Sequence, residues 1–569
     1  MFIAKLFLVA ALSSSVLAFP ITPRNLTKQW EFSEIPPSKD LVWSPCNGDF
    51  FCAMLDVPLD YLKPKLGRAY IPLVKYPATT TPYKGMVLTN PGGPGNSGVQ
   101  FLEGYATRLL VPVIGSNYDV VSWDPRGVNN SIPLADCKLP SNLTGSSTAP
   151  QLLHRELDKL HGPILSQDVF EEYYAQAQGV AEGCGAAIGG PLDAGPHMTT
   201  ATVARDMISI IDAFQKSHEG KKCGDQGLLN YWGISYGTFL GQTFTSMFPH
   251  RVGKVVLDGV VDADEWIKYT GRNLINDTDA TFSTFFLYCH LAGPTACAFY
   301  NGTTPHSIFL RFENIVTQLD PVVAYANNWT NATAIELLLL SMKSILIFNS
   351  YQPIFTFPSI AYGLVAIESV LPDLTLEKLD ILEKQLGLNS TASRPDAYLW
   401  GDANTCSDVG DVVRGDSLES FQGRIEEFEQ VSFLAGESRV VGSFACVFWN
   451  ITSDDRFTGS FGGKSRNPIL FVSNTLDPIT PIDNGKKGTR IFKDSQLLTI
   501  EGTGHSSIAP QNKCSYAKLN TFFQEGKLPG KDNYCKLEAG PWNITVEGPL
   551  ERRTDLERVK RGLVGLKRV

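Results

Sequence analysis

Four short apolar runs, each bounded by Gly, Pro, Asn or Asp, stand out along the chain. They comprise Met86 to Leu88, Tyr118 to Trp123, Lys254 to Leu257 and Ile469 to Val472. Their apolar character is nearly continuous rather than alternating, which is typical of strands buried on both faces of a parallel sheet. Between the second and third runs, residues 200–214 repeat apolar side chains at the spacing of one helix face. Alternating strands and helices predict an α/β layer architecture.

The pattern changes between about Asp264 and Trp400. This stretch is rich in aromatic residues at helical spacing and has few strand signals, and strand signals resume after Cys406. We interpret it as a helical cap inserted into the α/β domain, which is then split in two. The predicted organisation is a core part at 19–263, the cap at 264–400, a second core part at 401–545 and a basic tail at 546–569. We expect the tail to be a solvated helix or a disordered end.

The N-terminus predicts a cleaved signal peptide at residues 1–18. One lysine precedes an apolar stretch of about a dozen residues that ends in Ala18, and three serines interrupt that stretch, which is too short to span a bilayer. We expect no later apolar segment to be long and uninterrupted enough to cross a membrane. We therefore expect a secreted, extracellular protein with N-glycosylation sequons at Asn25, Asn142, Asn276, Asn301, Asn328, Asn331, Asn389, Asn450 and Asn543. We do not expect modification of a further sequon, at Asn129, because it follows a D-P-R-G turn closely.

Composition and charge narrow the classes of function. The chain has 569 residues, of which 43% are hydrophobic and 19% are charged, which is an ordinary globular composition. A net charge of -9 argues against nucleic acid as a partner, because binding a phosphate backbone needs a basic face. The chain contains no H-E-x-x-H, C-x-x-C or P-loop motif. We therefore expect no metal and no other cofactor.

One G-x-S-x-G pattern, at Gly233, Ser235 and Gly237, is the strongest chemical signal in the chain. An apolar run precedes it at 228–232, and apolar residues at helical spacing follow it. This is the strand, sharp turn and helix of a nucleophile elbow, in which glycines flank the serine because the turn leaves no room for side chains. The context predicts Ser235 as a nucleophile.

A serine hydroxyl needs a base, and the base needs an orienting carboxylate. Of eight histidines, His505 alone follows an aliphatic run with strand-end context. Asp477 follows the predicted strand at 469–472, so the chain order is serine, acid, histidine, as in α/β hydrolases. Asp258, at the end of another predicted strand, is the rival acid.

An oxyanion hole needs two backbone donors. Tyr236 N–H, directly after the nucleophile, supplies one, and Gly93 N–H in the glycine-rich loop after the first apolar run is the candidate for the other. The same loop also spells G-x-G-x-x-G, with Asp119 about 20 residues on, which keeps a dinucleotide-dependent oxidoreductase as a remote alternative. Pro94 argues against it, because proline removes an N–H from the turn that would cradle a pyrophosphate.

These motifs together resemble the secreted tripeptidyl aminopeptidase-like branch of the α/β-hydrolase superfamily, which is related to proline iminopeptidases. The elements that carry the resemblance are NPGGPGNSG at 90–98, SWDPRG at 122–127, GISYGT at 233–238, NTLDPITP at 474–481 and Gly504-His505. The resemblance implies a hydrolase core with a helical cap and a triad of Ser235, Asp477 and His505. It also implies that Asp124 and Arg126 shape the loop beside the oxyanion hole, as an ion-paired turn.

The resemblance implies a serine peptidase that removes short peptides or single residues from free N-termini through an acyl-enzyme on Ser235. Such an enzyme must bind an ammonium group with carboxylates, and the sequence nominates several without choosing among them, namely Glu103, Asp262, Glu265 and Asp408. An esterase or lactonase acting on small apolar metabolites is the alternative, because the same triad serves acyl transfer from esters and the Phe-rich cap suits an apolar pocket. A catalytically silent binding protein on the same scaffold is a third possibility.

Eleven cysteines leave one without an internal partner. The resemblance and the local spacings suggest five bridges, Cys46–Cys52, Cys137–Cys184, Cys289–Cys297, Cys406–Cys446 and Cys514–Cys535. Cys223 then remains as a free thiol, for which we expect a buried, inert role.

Overall fold

A computed structural model describes residues 28–137, 167–224, 227–319, 332–371, 378 and 395–546, together with 558, 559, 561–563 and 566. The described residues form one sheet in the order β1-β2-β3-β5-β4-β6-β7-β8-β9-β10. The strands are β1 Ser44–Pro45, β2 Phe51–Pro58, β3 Arg68–Tyr76, β4 Met86–Asn90, β5 Asp119–Trp123, β6 Leu229–Ile234, β7 Val252–Asp258, β8 Ile469–Leu476, β9 Gln496–Thr503 and β10 Tyr534–Cys535.

The part of the sheet from β5 to β10 is parallel, and it contains all four of the predicted apolar runs. Strands β4 to β8 consist almost entirely of buried residues, as a sheet covered by helices on both faces requires. The register sets Asn90 beside Gly233, and Ile234 beside Asp258. The carboxyl ends of these strands therefore meet at one edge of the sheet, and the predicted α/β fold class is confirmed.

The antiparallel strands β1 to β3 at the N-terminal side are a feature that the sequence analysis did not assign. β2 pairs with β3 over its whole length, and β3 pairs with β5. Pro72 interrupts β3 without a backbone donor, and charged residues stand in both strands, Asp56 in β2 and Arg68 and Lys75 in β3. Their apolar pattern is therefore weaker than that of the parallel strands.

Fifteen α-helices lie in the described residues. They are α1 Gly98–Tyr105, α2 Val111–Ile114, α3 Gln167–Ile188, α4 Thr200–Lys216, α5 Tyr236–Met247, α6 Ala263–Lys268, α7 Thr278–Ala296, α8 Pro305–Gln318, α9 Ala332–Asn349, α10 Pro353–Val370, α11 Pro395–Val409, α12 Leu418–Glu429, α13 Gly436–Val441, α14 Ile482–Ile491 and α15 Lys513–Glu525. The predicted helix at 200–214 is α4, and it buries the apolar face that its spacing indicated.

The cap has its own apolar core, which is distinct from the two clusters that cover the faces of the sheet. Its centre is a group of aromatic rings in contact, Phe282, Phe285, Phe286, Phe312 and Phe357, with centroids 5.3–6.4 Å apart. Aromatic pairs at such separations stabilise a core beyond their buried area.

The predicted cap boundary at residue 400 is wrong. Helices continue through α11, α12 and α13, and the first described strand after the insertion is β8, which begins at Ile469. α12 buries Phe421, Ile425 and Phe428 at helical spacing in the cap core. α3, which the analysis assigned to the first core part, also joins the cap, because Tyr174 packs against Phe421, Phe444 and Phe448.

The five suggested disulfide bridges are present, and Cys223 is a buried cysteine outside these bridges, whose thiol donates to the Gly220 carbonyl oxygen at 3.2 Å. Two of them fasten the cap: Cys137–Cys184 ties α3 to the chain after β5, and Cys406–Cys446 ties α11 to the segment after α13. Each bridge closes a loop of the unfolded chain and so stabilises the folded state.

Four of the predicted glycosylation sites lie on described residues and are exposed, as an attached glycan requires: Asn276, Asn301, Asn450 and Asn543. The signal peptide, the sequons at Asn25, Asn142, Asn328, Asn331 and Asn389, and most of the basic tail lie outside the described residues.

α10 is the one helix in the described residues that is long and apolar enough to cross a membrane. The expectation that no segment after the signal peptide has this length and composition is therefore wrong. However, the core helix of a soluble protein passes the same test. α10 buries Phe357, Ile360, Ala361, Leu364 and Ile367 at helical spacing in the cap core.

Candidate active site

Ser235 lies in the turn between β6 and α5, with φ of 58° and ψ of -124°. A positive φ is uncommon for a residue other than glycine. A Cβ on Gly233 would lie 2.3 Å from the Gly237 carbonyl oxygen, and a Cβ on Gly237 would lie 2.9 Å from the Asn90 carbonyl oxygen. Both positions therefore require glycine, and the turn presents Ser235 at the carboxyl edge of the sheet as a nucleophile elbow does.

Asp477 and His505 lie side by side after β8 and β9. His505 Nδ1 is 3.0 Å and 3.1 Å from the two carboxylate oxygens of Asp477. The buried carboxylate also accepts hydrogen bonds from Thr480 N–H and Ser506 N–H, each at 2.9 Å. Burial raises the pKa of Asp477, but His505 and these donors outweigh burial and hold that pKa below its ordinary value. An ionised carboxylate at Nδ1 orients the imidazole and leaves Nε2 to act as the base.

The rival acid, Asp258, does not bind a His505 nitrogen. Its oxygens accept hydrogen bonds from Ser507 N–H at 2.8 Å, Ser507 Oγ–H at 2.6 Å and Trp232 Nε1–H at 3.2 Å. Burial raises the pKa of Asp258 to about 6, against the effect of these donors. Asp258 thus anchors the turn that follows His505, whereas Asp477 contacts the imidazole.

Ser235 and His505 converge on the end of β7. Ser235 N–H donates to the Asp258 carbonyl oxygen at 3.0 Å, and a Cβ on the next residue, Gly259, would lie 3.1 Å from His505 Cε1. His505 Nε2 is buried and has no hydrogen-bond partner among the described residues. Catalytic hydrogen bonds are often long in unliganded sites and shorten when substrate binds. Nε2 is therefore the free nitrogen to which the Ser235 hydroxyl or a water can donate.

The glycine-rich loop after β4 lies directly against the elbow. A Cβ on Gly92, where φ is +92°, would lie 2.8 Å from Ser235 Cβ and 3.0 Å from Tyr236 N. Tyr236 is the first residue of α5, so its N–H has no intrahelical acceptor. Gly93 N–H donates to no described residue. The two backbone donors expected to form the oxyanion hole thus come from adjacent segments, as acyl transfer requires.

Asp124 and Arg126 do not pair with each other, in contrast to the ion-paired turn that was expected. Asp124 accepts from Ser97 Oγ–H at 2.5 Å and from Val99 N–H at 3.2 Å, and so fixes the start of α1. Arg126 forms a buried ion pair with Asp206 of α4, with its Nε 2.6 Å from the carboxylate. Both residues shape the turn, but through different partners.

Asn129, whose modification was not expected, donates through Nδ2 to Asp124 at 2.9 Å and to Ser97 at 3.2 Å.

Asp119, which ribose binding would need in the dinucleotide alternative, accepts from Ala78 N–H at 2.8 Å and Tyr83 Oη–H at 3.1 Å, and lies 3.5 Å from Lys75 Nζ. Its oxygens are therefore already engaged, and the geometry offers that alternative no ribose ligand.

The cap contributes a contact to the catalytic histidine that no motif predicted. Tyr351, between α9 and α10, accepts a hydrogen bond from His505 N–H through its carbonyl oxygen at 2.8 Å. The Tyr351 and His505 rings meet edge to face, with centroids 4.9 Å apart. The two residues are far apart in sequence, and an isolated tyrosine carries no signal of such a contact.

The four nominated carboxylates all have protein partners. Glu103 accepts from Asn47 Nδ2–H at 3.2 Å, Asp262 binds Lys487 Nζ at 2.6 Å, and Glu265 accepts from the Thr270 hydroxyl. Asp408 accepts from Thr200 N–H at 2.7 Å and Thr200 Oγ1–H at 2.6 Å. Each of the four carboxylates thus has at least one donor in the protein, and no contact singles out one of them as the ligand of a substrate ammonium.

Two family models match this chain. The model described as alpha/beta hydrolase fold matches residues 85–292, which include Ser235 and both oxyanion donors. The model described as TAP-like protein matches residues 432–535, which include Asp477 and His505. The two matches thus divide the triad between them and leave residues 293–431, most of the cap, outside both.

Individual proteins are similar over most of the chain. The tripeptidyl aminopeptidase of Streptomyces lividans is 25% identical over 518 residues, covering 88% of this chain and 87% of that protein. The serine protease Hip1 of Mycobacterium tuberculosis is 26% identical over 557 residues, covering 94% and 98%. Carboxylesterase B of the same species is 26% identical over 493 residues, covering 85% and 86%. The similarity therefore extends through the cap as well as the core.

Proposed function

Because this chain is a serine hydrolase of the α/β-hydrolase fold that resembles the tripeptidyl aminopeptidases, we propose that it is a secreted aminopeptidase. It releases short peptides or single residues from free N-termini. The observation that carries the proposal is the similarity to the tripeptidyl aminopeptidase, which spans 88% of this chain and includes the cap. A core match alone would support only the chemistry, because specificity in this fold depends on what is inserted into it.

The geometry supports acyl transfer through Ser235. His505 Nε2 accepts the hydroxyl proton as Ser235 Oγ attacks the scissile carbonyl carbon, and the Gly93 and Tyr236 N–H groups stabilise the oxyanion. His505 then donates that proton to the leaving amine as the C–N bond breaks. In the second half of the reaction, His505 accepts a proton from a water as that water attacks the acyl-enzyme carbonyl. His505 then returns the proton to Ser235 Oγ as the ester bond breaks and the peptide acid leaves. Asp477 stays ionised throughout and stabilises the imidazolium.

The decisive experiment compares free and N-acetylated versions of one tripeptide anilide on the purified protein. An aminopeptidase cleaves the free peptide and discriminates against the acetylated one, because acetylation removes the ammonium charge. Equal cleavage of both, or cleavage of neither, would rule the proposal out. Stoichiometric labelling of Ser235 by a fluorophosphonate separates an inactive preparation from a catalytically silent protein.

The similarity to carboxylesterase B favours one second candidate, an esterase acting on small apolar substrates. Both activities use the same triad, so the substrate panel has to decide between them. Turnover of short-chain aryl esters that is lost in Ser235→Ala, with no turnover of any peptide anilide by the parent protein, would establish the esterase instead.

Secretion is part of the proposal. Five disulfides and four exposed sequon asparagines suit an oxidising compartment. Expression with the native N-terminus in a eukaryotic host tests it. We expect the protein in the medium with Phe19 at its N-terminus, and a larger mass that a glycosidase reduces. Retention inside the cell with residues 1–18 uncleaved would contradict secretion.

A further inference from the structure

Asp402 on α11 differs from the four nominated carboxylates because no described residue donates a hydrogen bond to it or forms an ion pair with it. Its residue is only partly exposed. Burial, with no donor to oppose it, raises the pKa of its carboxyl to about 7. Because the carboxylate is partly exposed and has no protein donor, a cationic group that approaches from solvent can pair with it.

The helix that bears Asp402 approaches the loop that carries one oxyanion donor and the side chain of the residue that carries the other. One residue before it, a Cβ on Gly401 would lie 2.8 Å from the carbonyl oxygen of Pro94, next to Gly93. Two residues after it, Asn404 lies beside the Tyr236 side chain, and its Nδ2 donates to the Met198 carbonyl at 2.6 Å. α11 is thus packed onto the two segments that supply the oxyanion donors.

The cap holds α11 firmly in this place. Trp400, Ala403 and Cys406 are buried on one face of the helix in an apolar cluster with Trp449. The bridge Cys406–Cys446 fixes the helix one turn beyond Asp402. A side chain on such a rigid helix has a defined position relative to the scissile bond.

The distance suits the N-terminus of a short peptide. Three extended residues span about 10 Å, and consecutive Cα atoms are about 3.8 Å apart. Asp402 is the next residue along α11 after Gly401, which contacts the residue that follows Gly93, so a peptide of about three residues is long enough to reach from the oxyanion hole toward this helix. A peptide whose carbonyl occupies the oxyanion hole can therefore place its first residue near α11.

We infer that Asp402 binds the α-ammonium group of the substrate and so sets the specificity for free N-termini; this inference rests on the proposed aminopeptidase function. The ammonium supplies the hydrogen-bond donors that the carboxylate lacks. The charge-assisted hydrogen bonds between the two groups offset the cost of removing both from water. Asp402 acts in binding, and the chemistry stays with the triad.

The charged and titratable neighbours of Asp402 are few among the described residues. Tyr269 interacts electrostatically with both Asp402 and Arg439, and burial raises the pKa of its hydroxyl to about 12. Asp408, further along α11, has its pKa raised to about 7 by burial, but Thr200 already binds it. Near neutral pH, Asp402 is therefore the carboxyl at this place whose ionisation a bound ammonium would favour.

The test compares Asp402→Asn, Asp402→Glu and Glu265→Gln on the free and the N-acetylated tripeptide anilide. Both substrates undergo the same chemistry at Ser235, so the ratio of their kcat/KM values isolates recognition of the N-terminus. We expect Asp402→Asn to lower this ratio about 10- to 100-fold, mainly through the KM of the free peptide. Asp402→Glu keeps part of the preference, and Glu265→Gln, another cap carboxylate, leaves the ratio within about twofold of the parent.

The outcomes separate the two claims. A parent protein that cleaves both substrates equally overturns the aminopeptidase proposal together with this inference. A parent that prefers free N-termini, with Asp402→Asn retaining that preference, overturns the role of Asp402 alone. If Asp402→Asn fails to fold, the parent decides: its kcat/KM ratio falls as the pH is lowered from 7.5 to 5.5 if Asp402 must be ionised, and a constant ratio overturns the inference.

Discussion

The hydrolase core and the cap differ in how their sequences position residues at the site. In the core, each site residue stands where local backbone geometry requires its residue type, as the strained φ of Ser235 and the glycines around it show. In the cap, Tyr351, which contacts His505, and Asp402, to which we assign the substrate ammonium, occupy ordinary helix or loop positions and belong to no motif. The chemical residues are therefore recognisable from local sequence, whereas the contacts of the cap with the site depend on the fold.

The largest effect expected from a single change in the core is that of Ser235→Ala. Without the nucleophile, binding and the oxyanion hole alone remain, so kcat/KM for every substrate should fall by at least about 10⁴-fold. Ser246→Ala is the matched control, because Ser246 lies at the far end of the same helix, where its hydroxyl accepts from Gly462 N–H. Steady-state assays on a peptide anilide and an aryl ester measure the effect. Residual turnover above about 1% by Ser235→Ala on either substrate would place the nucleophile elsewhere.

Substitutions of the two buried core carboxylates, Asp477 and Asp258, should have very different effects on kcat. Asp477→Asn removes the charge that orients His505, and we expect kcat to fall about 10³- to 10⁴-fold with the protein still folded. Asp258→Asn should leave kcat within about tenfold but lower the thermal midpoint, since Asp258 satisfies Ser507 and Trp232. Comparable losses of kcat in both variants would mean that the acid is misassigned.

A third change tests the junction between the two regions. Gly401→Ala adds a Cβ that would lie 2.8 Å from the Pro94 carbonyl oxygen. Because this contact is too short, α11 and the oxyanion loop must move apart. Misplacement of this size at an active site costs up to about 100-fold, and we expect a 10- to 100-fold loss in kcat/KM.

The control for this junction is Gly423→Ala on α12, where a Cβ meets nothing within 4 Å. In an exposed helix this change stabilises a protein by roughly 0.5–1 kcal/mol, so the thermal midpoint should rise slightly and activity should persist. If Gly401→Ala behaves like Gly423→Ala, α11 does not constrain the oxyanion loop, and core and cap are less coupled than their contacts indicate.

The division between core and cap also explains what could be predicted from the sequence. Buried parallel strands produce continuous apolar runs, and an elbow demands its glycines, so β4 to β9 and the order of Ser235, Asp477 and His505 could be inferred before any coordinates. The strands β2 and β3 were not predicted because Pro72 in β3 and the charged residues in both strands weaken their apolar pattern. The C-terminal boundary of the cap was predicted too early, because the pattern of an amphipathic helix such as α12 does not indicate the domain to which the helix belongs.

The substrate side of the site could not be predicted for a related reason. Glu103, Asp262, Glu265 and Asp408 were nominated for their charge, yet each has a protein donor that is distant or unremarkable in sequence. Whether a carboxylate is already satisfied depends on the folded neighbourhood. The sequence shows that a carboxylate is present, but only the fold shows which donors already bind it.

The smallest effect that we predict comes from the cap's contact with the base. Tyr351→Leu removes the ring that packs edge to face on His505 and leaves the backbone hydrogen bond from His505 N–H to residue 351 in place. An aromatic pair of this kind contributes about 0.5–1.5 kcal/mol, which corresponds to a loss of about 2- to 10-fold in kcat. The rate of fluorophosphonate labelling at Ser235 should fall in parallel, because labelling also depends on a correctly oriented base. Tyr362→Leu, an exposed change on α10, should alter neither rate. Equal behaviour of the two variants would show that the triad is oriented by the core alone, and that the cap acts on the substrate without acting on the base.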